Sequence, residues 1–272
     1  MLPFTVYVLV FLGLPLYMVI HGALTTDGGS FTFANFSATF HSPAYKTAFK
    51  NSVILSLWTS LLGAIFGVWL AAAVVAGRPD AMLRRIVASG SAVLAYFAGV
   101  PLAFAWVATL GAEGVVTVLL KDIGINLYAH FTISSLLGVG LAYVYFQIPL
   151  MVILIMPALE GLRPEWQEAA EGLGATRLGY LRHVAIPVLA PSVIGATLIL
   201  FGNAFSAYAT ALALVGSTLN IVPAQIDDAI NGNVLVNATG LGLALGVEMI
   251  AVVVIVMTGY WLAQRRARRW QQ

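Results

Sequence analysis

Residues 160–191 read EGLRPEWQEAAEGLGATRLGYLRHVAIPVLAP, the one long polar interruption between strongly apolar runs. The stretch holds four of the chain's eleven acidic residues, Glu160, Glu165, Glu168 and Glu171, with Arg163, Arg177 and Arg182. It parses as two short helices around a glycine break. Pro164 suits a first-turn position, and Glu165 and Glu168 suit the positive end of the helix dipole. Ala169 and Ala170 favour helix and leave a flat surface. Gly172 and Gly174 are expected to end this helix, because a left-handed cap costs glycine least. Thr176 is expected to cap a second segment, residues 177–184, and Pro187 to break it.

The runs on either side decide the class. Of 272 residues, 60% are hydrophobic and 9% charged, far from the quarter or so charged in soluble domains. Separated apolar runs of about 20 residues imply a helical membrane bundle rather than a barrel. Six spans are expected, at residues 3–20, 51–76, 86–110, 132–159, 188–215 and 239–263. The first is read as a retained span, since the basic region of a signal peptide is missing. Residues 25–50 read as an external loop with a short lateral helix. The third span is expected to be interrupted near Gly99 and Pro101. Residues 115–120 are too short to span and read as a re-entrant or interfacial helix. Residues 216–237, with Pro223, Asp227 and Asp228, read as a second external loop.

The basic residues set the orientation. Placing the tail, the link at residues 78–85 and the central loop in the cytoplasm puts ten of thirteen basic residues inside. All ten are arginines, and Lys46, Lys50 and Lys121 fall outside. Both termini are then cytoplasmic.

Several chemistries lack their residues. The chain has no cysteine, and His21, His41, His130 and His183 lack metal-ligand spacing. It carries no nucleotide-binding loop and no hydrolase or metalloprotease motif. Neither metal site nor catalytic residue is expected, so energy for uphill transport must come from a partner.

The central loop resembles the signature loop of permease subunits in binding-protein-dependent ABC importers. That pattern is Glu-Ala-Ala, three residues, Gly, nine residues, then Ile-x-Leu-Pro. Here Glu168-Ala169-Ala170 is followed by Gly174 and then Val184-Ala185-Ile186-Pro187, with Val for Ile and Ile for Leu. The resemblance implies an all-α polytopic bundle of the type I importer fold. It implies a single transmembrane permease domain over residues 1–272, with a core at about 45–263 and a coupling loop at about 160–187. In the family the loop helix docks on a cytoplasmic ATPase dimer, which binds the ATP and Mg. The resemblance therefore marks Glu165, Glu168, Ala169, Ala170, Gly174, Arg177 and Pro187 as coupling residues. Arg177 and Arg182 are read as pairing with the loop's own acids or the ATPase, or as simple inside anchors. Further implied partners are a second permease, homologous or identical, an extracytoplasmic solute-binding protein and the lipid of a bacterial inner membrane. Nucleic acid is not implied.

The path is sought among polar residues in apolar runs. Asn203, Phe205, Ser206 and Tyr208, with Thr210, form a polar-aromatic cluster in the fifth span, read as cavity lining or as interhelical packing. Glu248 is an acid inside the sixth span, and Gln147 precedes Pro149 in the fourth. Residues 201–216, FGNAFSAYATALALVG, resemble the fifth span of polyamine, iron and phosphonate permeases. A small polar solute such as a polyamine, a phosphonate or ferric iron is the implied cargo. A secondary carrier driven by an ion gradient is the competing reading, favoured by Glu248 and weakened by the lack of a repeat between halves.

Overall fold

Among the described residues, six stretches are helical, long and apolar enough to cross a membrane: Pro3–Ala23, Pro43–Val75, Val100–Asp122, Leu136–Glu160, Arg177–Ser206 and Thr239–Trp261. The computed structural model describes residues 2–26, 28–77, 82–129, 131–216, 219–231 and 239–268. No strand occurs among them beyond one isolated bridge between Thr25 and Phe31. Residues 78–80 of the basic link, His130 and the tail end at 269–270 lie outside the described residues.

The helices run in order α1 (Leu2–Val8), α2 (Leu14–Ala23), α3 (Ala34–His41), α4 (Pro43–Val75), α5 (Met82–Tyr96), α6 (Val100–Leu110) and α7 (Val115–Asp122). There follow α8 (Leu136–Glu160), α9 (Pro164–Gly172), α10 (Arg177–Tyr180), α11 (Ile186–Ser206), α12 (Ala209–Val215), α13 (Val222–Asn231) and α14 (Thr239–Arg268).

Four boundaries differ from expectation. Pro43 begins α4 instead of lying in a loop, so α4 is roughly 50 Å long against a hydrocarbon core of about 30 Å. The third span is interrupted at residues 97–99, as expected near Gly99, but the stretch long enough to cross is α6 with α7 and not residues 86–110. The second external loop contains helix α13. Pro187 does not stop its helix. A π turn at Leu181–Ala185 precedes it, and the Ile186 amide bonds back to the Leu181 carbonyl. Opening the ladder by one residue relieves the clash and the missing donor that proline brings. The first span repeats the device, with a π turn at Leu9–Gly13 ahead of Pro15.

The described residues gather into two compact units, Met1–Ile54 with Val215–Ile255, and Leu55–Leu214 with Val256–Gln272. In the larger, α4, α8 and α11 share a core of Ala64, Ala71, Met151, Ile155, Ala196 and Leu200. Gly63 and Gly67, four apart on α4, let α8 approach. A Cβ on Gly67 would sit 2.4 Å from the Met151 Cβ, and one on Gly63 2.7 Å from the Gln147 Cβ. Small residues at this spacing let helix backbones pack closely where lipid supplies no hydrophobic drive. In the smaller unit, Asn51 Nδ2 donates to the Asn220 carbonyl at 2.9 Å, and Asn220 Nδ2 to the Ala44 carbonyl at 3.0 Å. The Val222 amide donates to Ser52 Oγ at 2.9 Å. These bonds tie the start of α13 to α4.

Candidate functional site

The loop after α8 folds by local rules. Pro164 takes the first turn of α9, as its fixed φ favours. The helix closes in a Schellman motif: the Gly174 amide donates to the Glu171 carbonyl, and the Ala175 amide to the Ala170 carbonyl, each at 2.9 Å. Gly174 carries φ +83°, which L side chains rarely adopt. Thr176 then caps α10 by accepting the Gly179 amide at 3.2 Å. The expected two-helix form and its caps are present, with α10 running on through the π turn into α11.

The loop's surface is unusual for so polar a stretch. Leu173 is 89% and Leu178 74% exposed. Glu165, Glu168 and Ala169 are exposed beside them, and Ala170 is half-buried. Arg177 and Arg182 make no ion pair with the loop's acids; the ion pair among the described residues joins Arg84 to Glu160. That pair joins the head of the loop to α5, and Glu171 accepts from Gln167 Nε2 at 2.9 Å, leaving Glu165, Glu168 and the loop's arginines without an ion pair among the described residues.

A second feature lies where two helices break. Gly99 has φ +74° and ψ −146°, a backbone region essentially confined to glycine, and it separates α5 from α6. Ala207 is extended and separates α11 from α12. Each break frees backbone groups that lipid would leave unpaired. The Gly99 amide donates to Thr210 Oγ1 at 2.7 Å, and the Tyr143 hydroxyl donates to the Ala207 carbonyl at 2.5 Å.

Between the breaks is a cavity of about 330 Å³, lined among others by Tyr96, Phe146, Asn203, Ser206, Tyr208 and Thr210. No residue lining it is ionisable at neutral pH. The structure therefore brings together Asn203, Ser206, Tyr208 and Thr210, and adds Tyr96 and Gly99. Phe205 is not part of the lining: it is 1% exposed and stacks on Phe201, ring centroids 5.7 Å apart. The helical period explains this, since position 205 lies on the face opposite 203 and 206. Gln147 is fully buried, donating to Thr59 Oγ1 at 3.4 Å, and lies outside this lining. Glu248 belongs to the smaller unit, where Thr39 donates to its Oε1 at 2.5 Å. Sequence reading missed Gly99 and Tyr96 as lining residues. The Gly99-x-Pro101 pair in an apolar run was the available signal.

The family described as binding-protein-dependent transport system inner membrane component matches residues 63–269, more than half of the chain. The sulfate transport system permease protein CysT of Salmonella typhimurium is 36% identical over 81 residues, 30% of this chain and 29% of that protein. A spermidine/putrescine transport system permease protein PotC homolog of Mycoplasma genitalium is 31% identical over 80 residues, 29% of this chain and 28% of that protein. These alignments thus span under a third of the relatives they match. Among solved structures, a chain of a bacterial ABC transporter involved in import of the acidic polysaccharide alginate superposes with a TM-score of 0.73 at 19% identity. That superposition covers 100% of this chain and 94% of the other, and it establishes the all-α type I importer fold. The chain belongs to the family of binding-protein-dependent transport system inner membrane components.

Proposed function

We propose that the chain is a permease subunit of an ABC importer. It forms half of a solute path and takes its energy from a cytoplasmic ATPase dimer through the loop at residues 160–187. The observation that carries this reading is the capped α9–Gly174–α10 turn presenting Leu173, Leu178, Glu165 and Glu168 to the outside. Exposed leucines with unpaired charges around them have the composition of a docking surface, an apolar centre and a polar rim. Ala169 and Ala170 permit close approach, Glu168 supplies an acceptor for a charge-assisted bond, and Gly174 sets the angle between the helices. Pro187 and Arg177 belong to the stretch that carries movement of the loop into α11.

The basic-residue bias supports a cytoplasmic location for both termini and the loop, and hence for an ATPase that docks on it. A second permease completes the path, and a solute-binding protein delivers cargo from outside. By analogy the two permeases are distinct, homologous chains. The cavity at the two breaks is the segment of path that this chain contributes, with Asn203, Ser206 and Tyr208 offering hydrogen bonds to a small polar solute. The polyamine reading draws support from the spermidine/putrescine relatives. The sulfate relatives and the uncharged lining support an oxyanion equally.

The test is energised uptake in vesicles carrying the whole transporter. Glu168→Arg and Gly174→Trp are expected to abolish uptake while the chain still inserts. Normal uptake by both variants would refute coupling through this loop.

A further inference from the structure

The smaller unit holds a cavity of about 340 Å³ lined by Thr39, Phe40, Lys46, Phe49, Glu248 and Val252. Phe40, Phe49 and Val252 make its walls largely apolar. Glu248 on α14 sets Oε1 2.5 Å from Thr39 Oγ1, which also lies 2.8 Å from the Phe36 carbonyl, and Oε2 is left to be satisfied. An acid in a membrane helix is costly unless each oxygen finds a donor. Lys46 opens onto the same space and is exposed. It does not neutralise the acid, since the ion pair among the described residues is Arg84–Glu160. The cavity thus has largely apolar walls, with Glu248 and the exposed Lys46 among the residues that line it.

Those features select among occupants. A polyamine would meet Glu248 but be repelled by Lys46. An oxyanion would meet Lys46 but be repelled by Glu248. A ligand with an ammonium and a phosphate on one short linker satisfies both, and acyl chains suit the rings. Phe40, 63% exposed, extends the apolar wall out of the cavity. The volume equals that of roughly ten waters, enough for a headgroup but not for the chains, which would lie along this outer face.

We propose that this cavity is a binding site for a phospholipid with a primary-amine headgroup, phosphatidylethanolamine. Its ammonium donates to Glu248 Oε2, its phosphate meets Lys46, and its chains run over Phe40, Phe49 and Val252. Glu248 then serves as a lipid anchor and not as part of the solute path.

The test is native mass spectrometry of the full chain in detergent with equal amounts of palmitoyl-oleoyl phosphatidylethanolamine and phosphatidylglycerol. The wild type is expected to prefer the amine lipid by about tenfold, the worth of one charge-assisted hydrogen bond. Glu248→Gln should bring the two lipids towards equality, and Lys46→Gln should weaken both alike. Equal binding of the two lipids by wild type, or an undiminished preference in Glu248→Gln, would overturn the proposal. Should Glu248→Gln fail to insert, a photoactivatable phosphatidylethanolamine on wild-type chain decides the matter. Labelling of peptides containing Phe40, Phe49 or Val252 supports the site, and labelling confined elsewhere overturns it.

Discussion

The Gly99 amide and Thr210 Oγ1, 111 residues apart in sequence, lie 2.7 Å apart and join the first helix break to the helix that follows the second. One bond thereby satisfies a donor freed by the first break and fixes the start of the helix after the second. Thr210→Val keeps the shape and removes the acceptor. A stranded amide costs about 1–3 kcal/mol, so the variant should unfold at a lower temperature in detergent and transport poorly. Thr210→Ser should restore both. A Thr210→Val variant with wild-type stability and uptake would show that the bond holds nothing together.

Gly174 separates backbone strain from crowding. A Cβ there would meet nothing within 4 Å, so Gly174→Ala acts only through φ +83°, at a cost of about 1 kcal/mol. Expression and insertion should be normal. ATP hydrolysis stimulated by the cargo-loaded binding protein should fall, with the residual basal rate unchanged. An equal loss of both rates would place the defect in assembly, not in coupling.

Gly67 and Gly90 make an opposed pair. A side chain at Gly67 collides with Met151, whereas Gly90 on α5 has open space around its Cβ position. Gly67→Leu should destabilise the bundle by about 1–3 kcal/mol or more through overpacking. Gly90→Ala should stabilise it by about 0.5–1 kcal/mol through helix propensity. Melting curves of the two purified variants check the signs.

The chain's lack of cysteine allows orientation to be read without background. Ala169→Cys should react with a membrane-impermeant maleimide only in inside-out vesicles, and Lys121→Cys only in right-side-out ones. Reversed labelling would invert the topology inferred from the arginines.

Much of the fold was legible in the sequence because six apolar runs and one polar loop leave few arrangements. The caps at Gly174 and Thr176 were legible too, since each is a local bond between near neighbours. Prolines misled in both directions. Pro43 starts a helix and Pro187 continues one, because a π turn five residues long absorbs the missing donor. The break at Ala207 had no local signal: alanine favours helix, and the extended turn is held by Tyr143 from another span. Phe205 takes the packing alternative, because helical spacing sets Phe201 and Phe205 away from Asn203 and Ser206. The setting of Glu248 was not legible, since Thr39 is 209 residues away.

Co-purification tests the permease role most directly. The tagged chain, expressed in its native host and extracted in mild detergent, should carry an ATPase subunit and ATP hydrolysis with it. A single cysteine at Leu173 should cross-link to that subunit, whereas one at Val115 should not. A chain that emerges without ATPase, or one that cross-links through Val115 and never through Leu173, would contradict coupling through the loop.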